Sequence, residues 1–203
     1  MIKTFKTKNT KPCWDVQKPF ILASSSPRRI RLLENAGFKP AKIVPADIDE
    51  TEKRGERPDK YVVRVATEKA KHVARLCPGT CIVAADTIIV TKGKIVRKAA
   101  TEQKARTNFK MLSGRIHYAY TGYCIISDKG TVISKLIKTT IKTKKFTEAE
   151  IETLIASKEW QNVAAYGIEG LFSTLVKDIQ GSYTNIIGLP VYEVTQDLKK
   201  VLK

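Results

Sequence analysis

The stretch CIVAADTIIVTKGKIV, residues 81–96, carries two apolar runs on either side of Lys92-Gly93. Apolar runs rich in β-branched residues predict buried strands, and the Lys-Gly pair predicts the tight turn between them. Asp86 interrupts the first run, and a carboxylate in a buried strand is costly unless something compensates its charge. An aspartate at a strand end is the structural alternative to a catalytic acid. The turn at Lys92-Gly93 lies too far along the chain to explain Asp86, which favours a functional role.

Alternating elements surround this segment and predict an α/β fold with a mixed sheet. Residues 20–23 predict a short buried strand, and residues 41–50 predict a strand that leads into an acidic loop. Residues 117–146 alternate around a turn at Asp128-Lys129-Gly130, which predicts a long antiparallel pair. Helices are predicted where apolar residues recur at helical spacing or where capping signals occur, over residues 27–36, 59–76, 101–112, 147–157 and from about 191 onward.

The composition is that of one globular domain with a basic surface. The chain has 203 residues, is 42% hydrophobic and has a formal net charge of +17. No apolar run approaches the roughly 20 residues that cross a bilayer, and the lysine-rich start lacks a signal-peptide core, so we expect a cytoplasmic protein without a membrane partner. Residues 1–18 are expected to form a basic, flexible extension, and residues 19–203 a single catalytic domain.

The positive charge attracts polyanions, but it does not by itself distinguish a nucleic acid from a nucleotide. The excess is mostly scattered lysine, without the clustered arginines and interleaved aromatic residues of single-strand binders. A basic nucleic-acid-binding module is therefore the weaker alternative, because it leaves Asp86 and the acidic loop unexplained. We expect no stable complex with nucleic acid.

The segment SSSPRR, residues 24–29, places two cations where a helix is expected to begin. A helix N-terminus already carries partial positive charge, so Arg28 and Arg29 are electrostatically unfavourable there unless an anion binds. Ser26 as N-cap followed by Pro27 is also a common helix start without any function. Serine hydroxyls, free N–H groups and two guanidinium groups at one place suit a phosphate.

Three further charged features are weak signals when each is taken alone. The segment ADIDE, residues 46–50, ends a predicted strand with a cluster of carboxylates, and acidic loops are usually solvated. Lys69 lies on the mostly apolar face of its predicted helix, and Lys98 follows a predicted strand. Snorkelling of the lysine side chains to solvent is the structural alternative for both.

Taken together, the motifs LASSSPRRIRLL, DIDE, YVVRVATEKA, AADTIIV and GSYTNIIGLP closely resemble the Maf family from about residue 19 to the C-terminus. The resemblance implies hydrolysis of nucleoside triphosphates to monophosphates and pyrophosphate, with removal of modified nucleotides as the cellular role. It also implies an elongated, twisted sheet whose flanking helices form two lobes around a cleft, as in ITPase-like proteins.

The resemblance also assigns roles by position. It implies that Asp86 is the catalytic base. It implies substrate binding by the serine loop, by the acidic loop, by two lysines and by the base-recognition region, that is, by Ser24, Ser26, Arg28, Arg29, Glu50, Lys69, Thr87, Lys98 and Glu169. Asp86 and Glu50 are the expected ligands of a divalent cation, Mg²⁺ or Mn²⁺, because hard ions prefer oxygen ligands.

Some positions depart from the family pattern. Ala99 stands where a proline is usual, Ala164 replaces a glycine, and Glu169 replaces a glutamine. An ionised glutamate only accepts hydrogen bonds, which suits the adjacent donors of guanine, and the segment EGL resembles the branch acting on 7-methyl-GTP. The longer segments AYGI and GSYTNIIGLP resemble the branch acting on dTTP and UTP. The expectation is therefore a pyrimidine preference, with 7-methyl-GTP-type purines as the alternative and a solvated Glu169 as the structural one.

The partner implied by the resemblance is a nucleoside triphosphate, and a homodimer is compatible with it. The family is also associated with inhibition of septum formation, so a role in cell division could accompany hydrolysis. No residue of this sequence identifies a division partner.

Overall fold

The computed structural model describes residues 18–161 and 163–202. The strands of this described part form one sheet and are β1 Phe20–Leu22, β2 Lys42–Ile43, β3 Cys81–Thr91, β4 Lys94–Val96, β5 Ile116–Ile126, β6 Val132–Thr143 and β7 Val176–Gln180. The helices are α1 Pro27–Asn35, α2 Pro58–Leu76, α3 Glu102–Leu112, α4 Glu148–Ala156, α5 Tyr183–Ile187 and α6 Val191–Val201, with a 3₁₀ turn at Leu171–Leu175.

The sheet is mixed, which confirms the predicted α/β class. Its strand order is β2-β1-β3-β5-β6-β7, and β4 pairs with β3 outside this path. The pairs β2-β1 and β1-β3 are parallel, whereas the other pairs are antiparallel. The predicted long antiparallel pair is β5 with β6, joined by the turn that follows Ser127.

The two faces of the sheet are covered by different helices. On one face, Ala70 and Val73 of α2 pack on Ile82, Ala84 and Cys124. On the other face, α1, α3, α4, α5 and α6 contribute to the main core together with the alternate residues of β3 and β5. Because successive side chains of a strand point to opposite faces, the apolar residues of β3 contribute to both cores.

One edge of β3 is interrupted. Along this edge β1 pairs with residues 81–83, and β4 pairs with residues 89–91. Between them, residues 84–88 pair only along the opposite edge, with β5. Asp86 therefore lies in the middle of a long strand, beside a break in its pairing, and the alternative of a strand-end aspartate is excluded.

Local sequence signals, such as capping residues, predict the positions of most helices correctly. The capping box of Thr147 and Glu150 is present at the start of α4, and Thr101 caps α3 by accepting a hydrogen bond from the Lys104 amide. The sequence pattern is less informative near the C-terminus. It predicts a turn at Gly181-Ser182 and a short segment there, whereas the structure also has the 3₁₀ turn, β7 and α5.

The predicted N-terminal extension lies outside the described residues except for Lys18, whose Nζ is 2.9 Å from Asp128 Oδ2. The predicted boundary between this extension and the domain stays a prediction. Within the described ranges, no helix is long and apolar enough to cross a membrane.

Candidate active site

The loop between β1 and α1 brings hydroxyl and backbone donors together at a helix start. Ser26 occupies the N-cap position of α1 and Pro27 follows it, but the Ser26 side chain makes no capping hydrogen bond. Ser24 is buried, and its Oγ accepts a hydrogen bond from the Ser26 amide at 3.2 Å. The first N–H groups of a helix have no intrahelical acceptors and carry partial positive charge. The loop therefore has the donors that an anion requires.

Arg29 joins this loop to two distant parts of the chain. Its Nη1 donates to Ser24 Oγ at 3.1 Å, its Nη2 to Thr87 Oγ1 at 3.3 Å, and its Nε to the Gly188 carbonyl at 2.9 Å. Burial lowers the pKa of Arg29 below its usual value, and the nearby Asp86 charge acts in the opposite direction. The three acceptors are uncharged oxygens, so they satisfy the guanidinium as a donor without neutralising its charge.

Lys69 of α2 holds Asp86 on the face of the sheet opposite to the one that Arg29 contacts. The Lys69 Nζ donates to Asp86 Oδ1 at 2.9 Å and lies 2.8 Å from Glu50 Oε1. Lys69 and Asp86 are 8% and 9% exposed, so their ion pair is shielded from bulk water. The ammonium group thus compensates the charge of Asp86 in the interrupted strand and brings the acidic loop to it. This contact is the compensation that a carboxylate in a buried strand requires.

The acidic loop is anchored to α2 at two points. The Tyr61 hydroxyl donates to the Glu50 carbonyl at 3.0 Å, and Arg64 Nη2 donates to the Thr51 carbonyl at 3.0 Å. Arg64 also pairs with Glu56, and this hydrogen bond lowers the pKa of Glu56 to about 2. Burial raises the pKa of Tyr61 to about 12, and the charges of Asp86 and Glu50 add to the effect. The tyrosine therefore stays a hydrogen-bond donor at neutral pH.

Gly122 allows α2 to approach the sheet beside Asp86. It is the β5 partner of Asp86, and a Cβ placed there would lie 2.7 Å from the Val63 Cα and even closer to the Val62 carbonyl oxygen. Both atoms belong to the backbone of α2, so the helix would have to move to admit a side chain. The close packing at Gly122 thus sets how near α2 carries Lys69 to Asp86.

Thr87 points to the face of the sheet opposite Asp86. Its Oγ1 is 2.9 Å from Thr121 Oγ1 and 3.1 Å from the Gly188 carbonyl oxygen, in addition to its contact with Arg29. Consecutive residues of β3 therefore serve two groups, one built around Lys69 and Glu50 and the other around Arg29 and Gly188. Asp86 and Thr87 nevertheless line one and the same cleft, beside the break in the pairing of β3.

Glu169 forms an ion pair with Arg31 of α1. The two side chains are 44% and 52% exposed, which places the pair in contact with solvent. Lys98 is exposed and follows β4. Both positions line the cleft, but Glu169 already has a cationic partner there.

Tyr166 forms a rigid part of the cleft wall. Its ring stacks on Phe172 with the centroids 3.6 Å apart, and its hydroxyl is 2.7 Å from His117 Nε2. His117 is fully buried, and burial lowers the pKa of this histidine to about 4. The imidazole is therefore neutral at pH 7, and the Tyr166 ring is held on one face and at its hydroxyl.

These groups surround one cleft of about 530 Å³, within the range of small-molecule sites. Its lining includes every site residue predicted from the sequence, namely Ser24, Ser26, Arg28, Arg29, Glu50, Lys69, Asp86, Thr87, Lys98 and Glu169. The apolar part of the lining comes from Ile89, Val163, Tyr166, Ile168, Ile186 and Ile187. The cleft thus combines cationic and hydroxyl groups with an apolar wall. The individual roles assigned to the predicted residues stay predictions.

The carboxylates of Asp86 and Glu50 suit a hard divalent cation only when a bound phosphate group supplies further oxygen ligands. Among the described residues, no group of three or more His, Cys, Asp or Glu side chains could hold a metal ion. Mg²⁺ commonly binds one or two carboxylates together with substrate phosphates and water. Asp86 and Glu50 converge on one Lys69 ammonium, so they fit a metal whose remaining ligands come from a bound phosphate group.

Sequence reasoning missed the residues that orient the predicted ones. Tyr61 and Arg64 lie in the motif YVVRVATEKA, whose spacing predicts only a helix for them, and Gly188 lies in the predicted short segment NIIGLP. Arg31 lies in the motif LASSSPRRIRLL, but its role depends on Glu169, a partner far away in sequence, and the role of Gly122 likewise depends on the distant backbone of α2. A glycine in the middle of a predicted strand is the one local feature that could have drawn attention to Gly122.

Comparison with known proteins gives a consistent result. A family model described as Maf-like protein matches residues 19–201. A relative from Caulobacter vibrioides named dTTP/UTP pyrophosphatase is 41% identical over 174 residues, covering 85% of this chain and 90% of that protein. A relative of the same name from Mesorhizobium japonicum is 42% identical over 185 residues, covering 88% and 89%.

Among solved structures, a nucleoside-triphosphatase described as a dITP/XTP pyrophosphatase from Mycobacterium abscessus aligns with a TM-score of 0.37 and 15% identity. The alignment covers 62% of this chain and 72% of that one. A likeness of this size carries no argument about the site.

Proposed function

This chain belongs to the Maf-like protein family, and we propose from this premise that it is a nucleoside triphosphate pyrophosphatase acting on dTTP- and UTP-type nucleotides. The reaction is hydrolysis of the α–β phosphoanhydride to a nucleoside monophosphate and pyrophosphate. One observation carries the proposal. Asp86, held by Lys69 beside Glu50, lies in the same cleft as the serine loop and its arginines.

In the proposed reaction a water oxygen attacks the α-phosphorus as the bond to the bridging oxygen breaks and pyrophosphate departs. Asp86 accepts the proton of the attacking water through Oδ2, because Oδ1 is bound by Lys69. The base later releases this proton to solvent. Lys69 fixes the orientation of the carboxylate, so the base needs little reorganisation during the step.

The triphosphate binds at the start of α1. Arg28, Arg29 and Lys98 supply positive charge, and Ser24, Ser26 and the first helical N–H groups supply hydrogen-bond donors. Phosphoryl transfer depends mainly on positioning and on neutralising charge, which these groups provide. A divalent cation held by Asp86 and Glu50 together with the phosphate oxygens would supply additional neutralisation of the leaving group.

The proposed preference for pyrimidines rests on the names of the relatives and on the position of Glu169. A glutamate facing the base would favour the adjacent donors of guanine. The Glu169 carboxylate instead accepts a hydrogen bond from Arg31 at a solvent-exposed position, which weakens the argument for guanine or 7-methylguanine.

The proposal is tested by incubating the protein with dTTP, UTP, CTP, GTP and 7-methyl-GTP in the presence of Mg²⁺ or Mn²⁺ and separating the products. We expect monophosphate and pyrophosphate in equal amounts, with UTP and dTTP turned over fastest. Asp86→Asn should lower kcat by about 10²–10⁴-fold, because an amide cannot accept the proton, and should retain nucleotide binding.

Asp178→Asn is the matched control, since Asp178 is an exposed carboxylate of β7 outside the cleft lining. It should leave kcat unchanged. Release of orthophosphate without pyrophosphate would refute the proposed reaction. Full turnover by Asp86→Asn would refute the role of Asp86.

A further inference from the structure

We propose that the Thr87 hydroxyl is a positioning group that fixes the Arg29 guanidinium and thereby sets the spacing between the triphosphate loop and Asp86. The catalytic significance of this role of Thr87 rests on the proposed function. It departs from the role in the base-recognition region that the family resemblance implies for Thr87.

Three protein groups lie within hydrogen-bond distance of the Thr87 hydroxyl. A threonine hydroxyl donates one hydrogen bond and accepts two. Thr87 Oγ1 accepts from Arg29 Nη2 and donates to the Gly188 carbonyl, and the Thr121 hydroxyl lies 2.9 Å away. The single proton of Thr87 is therefore directed at Gly188, and Arg29 occupies one of its two acceptor positions. A base could receive a hydrogen bond from this hydroxyl only by displacing a protein partner.

The Gly188 carbonyl oxygen is another acceptor that holds the Arg29 guanidinium in place. It accepts from Arg29 Nε at 2.9 Å and from Thr87 Oγ1 at 3.1 Å, so one oxygen orients both side chains. Gly188 has φ 136°, a backbone conformation that side-chain-bearing residues rarely adopt. Glycine at this position therefore turns the carbonyl toward Arg29 and Thr87.

The segment around Gly188 is itself anchored to the sheet. Asn185 of α5 is fully buried, and its Nδ2 donates to the Ala119 carbonyl and to Thr139 Oγ1, both at 3.0 Å. These bonds hold α5 on β5 and β6. The motif GSYTNIIGLP thus contributes a fixed acceptor to the site.

These hydrogen bonds link the proposed phosphate-binding loop to the strand that carries the proposed base. Arg29 belongs to α1 and lies beside Ser24, whereas Thr87 directly follows Asp86 on β3. Their hydrogen bond therefore ties the loop that would bind phosphate to the strand that carries the base. A displacement of reacting groups by about 1 Å can cost roughly 10²-fold in rate. A group that fixes this spacing affects turnover without touching the substrate.

The first arm of the test measures steady-state kinetics of Thr87→Val, which keeps the shape and loses the hydroxyl, and of Thr87→Ser, which keeps the hydroxyl. We expect Thr87→Val to lower kcat/KM by about 10- to 100-fold, with the same factor for UTP, dTTP, CTP and GTP. Thr87→Ser should recover most of this loss. Thr143→Val is the matched control, because Thr143 is a buried threonine on β6 that binds the Leu112 carbonyl away from the cleft. It should keep the wild-type kcat/KM.

The second arm measures binding of inorganic tripolyphosphate by calorimetry, which does not require hydrolysis. The wild type and Thr87→Ser should bind tripolyphosphate. Thr87→Val should bind it about 3- to 10-fold more weakly, because the Arg29 guanidinium loses the hydrogen bond to the Thr87 hydroxyl that orients it. If these affinities are found but the wild-type protein hydrolyses no nucleotide, the proposed function is refuted and the positioning role of Thr87 stands.

Three outcomes would overturn the role proposed for Thr87. One is a Thr87→Val protein with wild-type kcat/KM and wild-type tripolyphosphate affinity. Another is a change of more than about tenfold in the ratio of kcat/KM between nucleotides, which would mean that Thr87 reads the base. The third is a wild-type protein that does not bind tripolyphosphate.

Discussion

At the scale of single residues, Arg29 explains why cations can stand in the first turn of a helix. The partial positive charge of a helix start disfavours them. The structure bonds the Arg29 guanidinium to Ser24, Thr87 and Gly188, and each of these acceptors is an uncharged oxygen. Its charge therefore remains available to an anion in the cleft. Binding of a triphosphate would convert an unfavourable arrangement into a favourable one.

Glu169 gives a prediction at the same scale. Glu169→Gln should leave the ratio of kcat/KM for UTP over GTP within about threefold of the wild type, because the carboxylate is occupied by Arg31 rather than by a base. The free energy of unfolding should fall by no more than about 1 kcal/mol, as is usual for an exposed ion pair. Competition assays with mixed nucleotides and urea denaturation measure the two quantities.

Arg31→Gln is the matched control for Glu169→Gln, since it removes the other half of the same pair. Both variants should behave alike. A ratio that rises about 100-fold toward UTP in Glu169→Gln alone would show that this position reads the base after all.

At the scale of elements, the packing of α2 on β5 gives the sharpest prediction. Gly122→Ala would place a methyl group against the backbone of Val62 and Val63, which has no side-chain freedom to give way. Overpacking of this kind costs roughly 1–3 kcal/mol, so the free energy of unfolding should fall by that amount. The displaced α2 should also carry Lys69 away from Asp86 and lower kcat by at least about tenfold.

Urea denaturation and steady-state kinetics on the same preparation test this prediction for Gly122. Both quantities should change together. A variant with reduced stability and full kcat would show that the close approach of α2 serves packing alone.

Elements with local signals could be predicted from the sequence, whereas those set by distant partners could not. The periodicity of α2 and the capping box at Thr147 are encoded within a few residues and were predicted correctly. The interruption beside Asp86 arises because β1 and β4 pair with different ends of β3, and no short segment contains that information. The sequence identified Asp86 as anomalous, and only the strand pairing explained where its side chain could go.

The candidate site was predictable to a similar degree. Every residue taken from the motifs lines the cleft, because the motifs mark the groups that chemistry requires. The residues that orient them were missed, since Tyr61, Arg64 and Gly188 act through hydrogen bonds to partners outside their own segments. Single-sequence patterns report residue type and spacing, and they do not report these contacts.

At the scale of the whole molecule, burial of His117 makes stability depend on pH. The pKa of His117 is lowered to about 4, against 6.5 for an accessible histidine. Between these values the unfolded chain binds a proton that the folded chain excludes, so the contribution of this group is complete above pH 6.5 and is lost as the pH falls toward 4. We expect it to reduce the free energy of unfolding by about 2 kcal/mol between pH 7 and pH 5.

Urea denaturation of the wild type and of His117→Phe at both pH values tests this expectation. The variant loses the contact with Tyr166 and should be less stable at pH 7, but its change between pH 7 and pH 5 should be smaller by about 2 kcal/mol. His72→Gln, the matched control on α2, should retain the wild-type change. An identical change in all three proteins would contradict the role assigned to His117.

The position of β3 between two cores has a consequence for sequence divergence. Asp86 meets α2 on one face, and Thr87 meets α1 and the Gly188 turn on the other. A substitution that rotates the strand to suit one face must therefore disturb the opposite face. Mutations in β3 and its two sets of neighbours should be epistatic, and tolerated changes should arise in compensating pairs across the sheet.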